Sequence, residues 1–188
     1  MVSRRRVIVG VVGAWLVLPA AGTAQAQEGV FLRPDEAPRH LFPDAVEVRG
    51  RTVPATPDLL RRIRGFLGTP PTLWEAEYPI FTVTRPASPP GHVVIVEEIG
   101  KHRPITFAVA VAADARVHDI AVLAYREAYG GEVRERRFLK QYAGKTLTNP
   151  MLPYRDIVNI SGATLSVQAT GRAAKKAIAV LKSTGDLE

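Results

Sequence analysis

One run of small and hydroxyl-bearing residues stands apart in this chain: Ser161-Gly162-Ala163-Thr164-Leu165-Ser166, preceded by Asp156-Ile157-Val158-Asn159-Ile160 and followed by a helical pattern. A turn of hydroxyls and free N–H groups at a helix N-terminus is a natural phosphate seat, because unsatisfied donors and the helix dipole both favour an anion. The same residues also suit a simple helix N-cap. Ser161, Thr164 and Ser166 are good capping types, and Gly162-Ala163 allows close packing. Both readings are open at this point.

Other chemistries find no foothold. His40, His92, His102 and His118 are scattered, with no i,i+4 pair on a predicted helix and no HExxH, so no metal site is expected. GxSxG, GxGxxG and Walker loops are missing, which leaves hydrolase and NTPase readings without support. With no cysteine, a disulfide framework, a thiolate zinc site and an iron–sulfur cluster are excluded.

The elements that must position the run can be read from pattern. Thr56-Pro57 sets an N-cap and a first-turn proline; Leu59, Leu60, Ile63, Phe66 and Leu67 follow at helical spacing, and Gly68 closes the helix. Trp74 to Thr84 reads as a strand and Pro86 to Gly91 as a loop. Three β-branched runs follow, at 92–96, 105–113 and 117–125, the last two joined by a hairpin turn at Asp114-Ala115-Arg116. They predict an antiparallel meander. Glu132 to Gly144 reads as a helix, and a last helix is expected from about Ser166 to Lys182. The expectation is a single α+β domain: an antiparallel sheet with packed helices. Its parts are a leader at 1–26, a Pro-rich part at 27–90 and a core at 91–188.

Ser161-Gly162-Ala163-Thr164, followed by Leu165-Ser166 and a helix, resembles the flavinylation motif of the FMN-binding domain family. That family includes the FMN-carrying C component of the sodium-pumping NADH:quinone oxidoreductase, the G component of the Rnf complex and small secreted single-domain relatives. The resemblance covers about the last half of the chain. Gly100-Lys101-His102, Tyr125-Arg126-Glu127 with Gly130-Gly131-Glu132, and Arg137-Phe138-Leu139-Lys140-Gln141 with Gly144-Lys145 look like the small secreted members.

The resemblance implies FMN as cofactor and Thr164 as the residue esterified to its phosphate by a separate FAD:protein FMN transferase. It further implies Ser161 and the backbone N–H groups of Gly162, Ala163, Thr164 and Leu165 as phosphate holders. By motif position, Lys101 and Arg126 are cations for the ring's N1 side, with a surface cation or a sheet-edge contact as the plainer role of each. Trp74 and Tyr125 could stack on the ring, although an aromatic on a strand more often belongs to the core. The family usually has an aspartate three residues before the serine. Val158 stands there, with Asp156 two residues further back, and this leaves covalent and non-covalent FMN both open.

Charge and leader bound the partners. Of the net +7, three charges are Arg4, Arg5 and Arg6 in an acid-free segment 1–26, leaving only +4 on the rest, so no nucleic-acid partner is expected. Those arginines precede an uncharged run of 15 residues, Val7 to Ala21, and a small-x-small site at Ala24-x-Ala26. This is the pattern of a signal peptide, too short to be a full bilayer span; a retained anchor is the alternative. Either way the domain is delivered outside the cytoplasm, to the periplasm or the outer face of the cytoplasmic membrane. No nicotinamide motif accompanies the flavin motif, so an electron carrier relaying to or from a membrane redox protein is expected rather than a self-sufficient enzyme. The reading from another class is a flavin-free secreted binding or assembly module, in which the Ser-Gly-Ala-Thr run only caps a helix.

Overall fold

The structure is a computed structural model that describes residues 29–68 and 73–187. The leader expected at 1–26 lies outside the described residues. In chain order the elements are β1 (Gly29–Val30), α1 (Ala37–Leu41), β2 (Glu47–Pro54), α2 (Pro57–Leu67), β3 (Glu77–Arg85) and β4 (Ser88–Ile99). They continue with β5 (Pro104–Val111), β6 (Val117–Tyr125), α3 (Arg136–Leu139) and α4 (Thr164–Thr184).

All six strands form one antiparallel sheet in the order β1-β6-β5-β4-β3-β2. The expected meander is therefore present and extends through β3 and β2, so the Pro-rich part shares a sheet with the core. Strand alternation divides the sheet's two faces. Val94 and Val96 of β4, with Phe107 and Val109 of β5, face α4, and α2 adds Leu59 and Ile63 to the same cluster. Val93, Ile95, Ala108 and Ala110 face the other way, against Ala37, Leu41 and Phe42 around α1. The fold is thus the α+β arrangement expected, with α4 as the central helix.

Local signals explain α2 completely. The Thr56 side chain accepts the Leu59 N–H at 3.3 Å, Pro57 opens the helix, and Gly68 ends it in the left-handed region at φ 69°. Elsewhere the structure corrects the expectations. The stretch 86–91 is not all loop: β4 already begins at Ser88 after a tight turn, with Ala87 at φ 50°. Strand β5 stops at Val111, short of the expected Ala113. Residues 132–144 do not form one helix. A 3-10 turn at Gly131–Arg134 stops at Glu135, whose extended backbone (ψ 129°) separates it from α3, and a second 3-10 turn covers Lys140–Tyr142. Among the described residues no helix is long and apolar enough to cross a membrane.

Candidate functional site

Helix α4 begins at Thr164, two residues earlier than expected. Its N-cap is Ala163, and no side chain caps it. This overturns the idea that Ser161, Thr164 or Ser166 serves as the cap. The Thr164 hydroxyl is engaged otherwise: Asn159 Nδ2 donates to its Oγ1 at 2.9 Å and to Tyr154 Oη at 2.7 Å. Ser166 is buried and hydrogen-bonds Tyr125 Oη at 3.0 Å. Of the backbone donors expected for a phosphate, the Ala163 N–H is taken by the Ile160 carbonyl at 3.0 Å. Ser161 and Gly162 are exposed, and Gly162 adopts φ 78°, a left-handed turn that a side chain would strain. Leu165 projects outward, 45% exposed.

Each residue of Tyr125-Arg126-Glu127 fastens a different segment beside this corner. Tyr125 is core, not a free stacking face. Its hydroxyl donates to the Tyr129 carbonyl and meets Ser166, so the Gly130-Gly131 loop is stitched to the first turn of α4. Burial raises the Tyr125 pKa, helped by Glu127 and Glu132 and opposed by Ser166 and Arg134. Gly130 lies so close to the helix start that a Cβ there would meet Ala163 Cβ at 3.0 Å and Tyr125 Oη at 2.9 Å, and its φ is 84°.

Arg126 turns to the other face of the sheet. Its Nη1 donates to the Pro104 carbonyl at 3.1 Å and Thr106 Oγ1 at 3.0 Å, with Glu97 at 3.9 Å. Glu127 is buried, and its Oε1 accepts the N–H groups of Lys101, His102 and Arg103 at 2.5–2.9 Å. Burial pushes the Glu127 carboxyl upward, but the three N–H donors and His102 outweigh it and hold the pKa below the usual range. Lys101 thus enters by its backbone, and the residue is exposed. Trp74 stacks instead on Lys176, with Nζ 4.8 Å from the ring centroid.

The loop leading into Ser161 is tightly bracketed. Met151 (φ 52°) and Tyr154 (φ 63°) take left-handed conformations that non-glycine residues rarely adopt. Asp156 accepts the Leu152 N–H at 2.9 Å and pairs with Lys145 at 3.0 Å. Burial raises the Asp156 pKa, but the backbone donors and Lys145 prevail and lower it. Asp156 is therefore committed to holding the loop. Val158, where the family's aspartate would stand, is 74% exposed, and its N–H is held by Gln141 Oε1 at 2.8 Å.

Beside Thr164 lies a cleft of about 500 Å³ lined by Glu132, Glu135, Arg137, Phe138, Gln141 and residues 158–160. Cofactor-sized ligands occupy pockets of roughly 300–1,000 Å³, mostly apolar with a few placed polar groups. Phe138, Val158 and Ile160 supply apolar surface; Arg137, Gln141 and Asn159 supply polar groups. Asn159 Oδ1 is buried and has no hydrogen-bond partner among the described residues, which is costly unless a ligand or water completes it. The acids favour an uncharged ring at that wall, and the N-terminus of the 21-residue α4 favours a phosphate. The residues present fit a flavin mononucleotide. Arg137, Phe138 and Gln141 were visible in the sequence only as a block; no spacing rule assigned them to a cleft with Asn159.

Comparison with known proteins agrees with this geometry. Residues 100–179 match the FMN-binding domain family. The whole fold resembles a crystal structure of the C component of the Na(+)-translocating NADH-quinone reductase from Parabacteroides distasonis ATCC 8503. The TM-score is 0.52 at 13% identity, over 81% of this chain and 83% of that one, so the likeness is one of fold. No curated protein sequence matches the chain. Residues 100–179, which carry both the Glu127-pinned turn and the start of α4, belong to the FMN-binding domain family, and FMN is the cofactor of the domain.

Proposed function

We propose that this protein is an exported electron carrier whose FMN is tethered to Thr164 by a phosphoester. The observation that carries the reading is the placement of Thr164 Oγ1. It opens the first turn of α4 without serving as a cap, is held by Asn159, and stands beside a cleft of flavin size. A separate FAD:protein FMN transferase makes the link. Thr164 Oγ bonds to the FMN phosphorus, the phosphoanhydride of FAD breaks, AMP leaves, and the hydroxyl proton passes to a base of the transferase. No base beside Thr164 is then needed in this chain.

Bound FMN supplies one- or two-electron transfer, and the protein supplies orientation and burial. Phe138, Val158 and Ile160 would supply an apolar wall for the ring, and the start of α4 would hold the phosphate. A tether prevents loss of a cofactor that is not readily replaced outside the cytoplasm. Arg4-Arg5-Arg6, the apolar run to Ala21 and Ala24-x-Ala26 support export, with a membrane redox protein as the partner.

The test is the intact mass of the denatured protein after co-expression with a flavin transferase, for wild type and Thr164→Ala. An FMN-sized increment in wild type alone bears out the tether. A yellow native protein that bleaches on unfolding, without an increment, means FMN held non-covalently. A colourless wild type, with the transferase active on a control substrate, overturns the flavin reading.

A further inference from the structure

We infer that Asn159 is the positioning residue for modification of Thr164, presenting its hydroxyl by donation from Nδ2; this rests on the proposed attachment at Thr164. The two hydrogens of Nδ2 go to Thr164 Oγ1 at 2.9 Å and Tyr154 Oη at 2.7 Å. An oxygen that accepts from Asn159 keeps its own hydrogen free to be removed, and its remaining lone pair can attack phosphorus. Once esterified, that oxygen can accept but not donate, so an amide donor suits it before and after the reaction, whereas a carboxylate could accept from the free hydroxyl but has no hydrogen to give the ester. Fixing the hydroxyl in one orientation lowers the entropic cost of attack, and small misplacements of a reacting group cost large factors in rate.

Three further observations point to the same residue. Asn159 is held from behind, because its Tyr154 partner sits in a left-handed backbone conformation inside the Asp156-bracketed loop. Its Oδ1 is buried, unpartnered among the described residues, and part of a residue that lines the flavin-sized cleft. Such an acceptor is completed by a hydrogen-bond donor from a ligand or a water. Val158, the residue in the family's aspartate position, is exposed and contributes no polar side chain, so the polar side chain that touches Thr164 is its neighbour's.

The test follows the appearance of the FMN mass increment with time in purified full-length protein, with FAD and a flavin transferase, for wild type, Asn159→Ala and Asn159→Asp. Thermal melting of each variant is recorded alongside. Asn159→Asp keeps the shape but has no N–H to give. Both variants are expected to acquire the increment at least about tenfold more slowly, at transferase concentrations where wild type is complete. Labelling of both at the wild-type rate overturns the role of Asn159 and leaves the attachment reading intact. Asp at or above the wild-type rate with Ala slow also overturns it, since an acceptor would then be what the site needs. An unlabelled wild type beside a labelled control substrate overturns the attachment reading and this inference together. A variant that melts below the assay temperature is judged by the other one; should both do so, labelling is repeated below both melting points.

Discussion

Helix α4 carries two polar sites of opposite character. At its start, Thr164 is half-buried, meets an uncharged amide and lies beside a cleft. Three turns on, Lys176 is fully buried. Its Nζ meets Glu75 Oε1 at 2.8 Å, Glu98 Oε1 at 2.8 Å and the Glu97 carbonyl at 2.6 Å, while Arg172 takes the other oxygen of Glu98 at 2.8 Å. Burial, then Glu75 and Glu98, raise the pKa of nearby Tyr78. The first site leaves an acceptor unsatisfied and its backbone strained, as binding sites do. The second gives a buried ammonium an acceptor for each of its three hydrogens, which is the condition for keeping a charge inside. One helix thus separates the candidate attachment site from a buried anchor along its length.

Removing the buried ammonium tests that separation most severely. Lys176→Ala leaves the buried Glu75 without its cation and Glu98 with Arg172 alone, and is expected to cost about 3–5 kcal/mol in urea unfolding. The rate of FMN attachment should stay at the wild-type value at temperatures where the variant is folded. A parallel loss of attachment would merge the two regions into one.

Gly171 lies between them, where a Cβ would fall 2.1 Å from the Met151 carbonyl. Gly171→Ala must push the 151–160 loop off the helix, at an expected cost of about 1–3 kcal/mol. Because that loop carries Asn159, attachment should slow as well, which sharpens the comparison by locating its boundary.

Acid titration probes the smallest effect. Glu127 and Asp156 have folded pKa values held below their unfolded ones. Their contribution is therefore full above about pH 4.5, near ordinary carboxylate values, and is lost as pH falls through the depressed values. Melting temperature against pH should be level from about pH 5 to 7 on their account and should fall below that. Glu127→Gln should melt lower at neutral pH and converge on wild type in acid. A constant difference at all pH values would mean that the Glu127 charge is immaterial.

Much of the architecture was legible because its signals are local. Thr56, Pro57 and Gly68 bound α2, and the β-branched runs mark β4 to β6. The Ser-Gly-Ala-Thr run marked the site, and the motif blocks at 100–102, 125–132 and 137–145 indicated what surrounds it. Three features were not legible, each through competition between local and distant forces. The 132–144 pattern is periodic enough for a helix, but packing Val133, Phe138 and Tyr142 into one core needs an extended break at Glu135. Hydroxyls at a helix start suggest capping, yet Ser166 is drawn to Tyr125 and Thr164 to Asn159. No local signal marked Lys176 for burial; it is buried because α2, β4 and the Trp74–Glu75 segment close around α4.

The sequence by itself determined α2, α4, the run of strands from β3 to β6, the cofactor family and the candidate attachment residue, because propensity, periodicity and a short motif are properties of neighbouring residues. Tertiary structure alone decided which polar groups meet: Asn159 with Thr164, Tyr125 with Ser166, Glu127 with the 101–103 turn and Lys176 with Glu75 and Glu98. These pairs depend on sheet register, on the left-handed turns at Met151 and Tyr154 and on the seating of α4. A hydrogen bond exists only where a donor and an acceptor arrive within about 3 Å of each other.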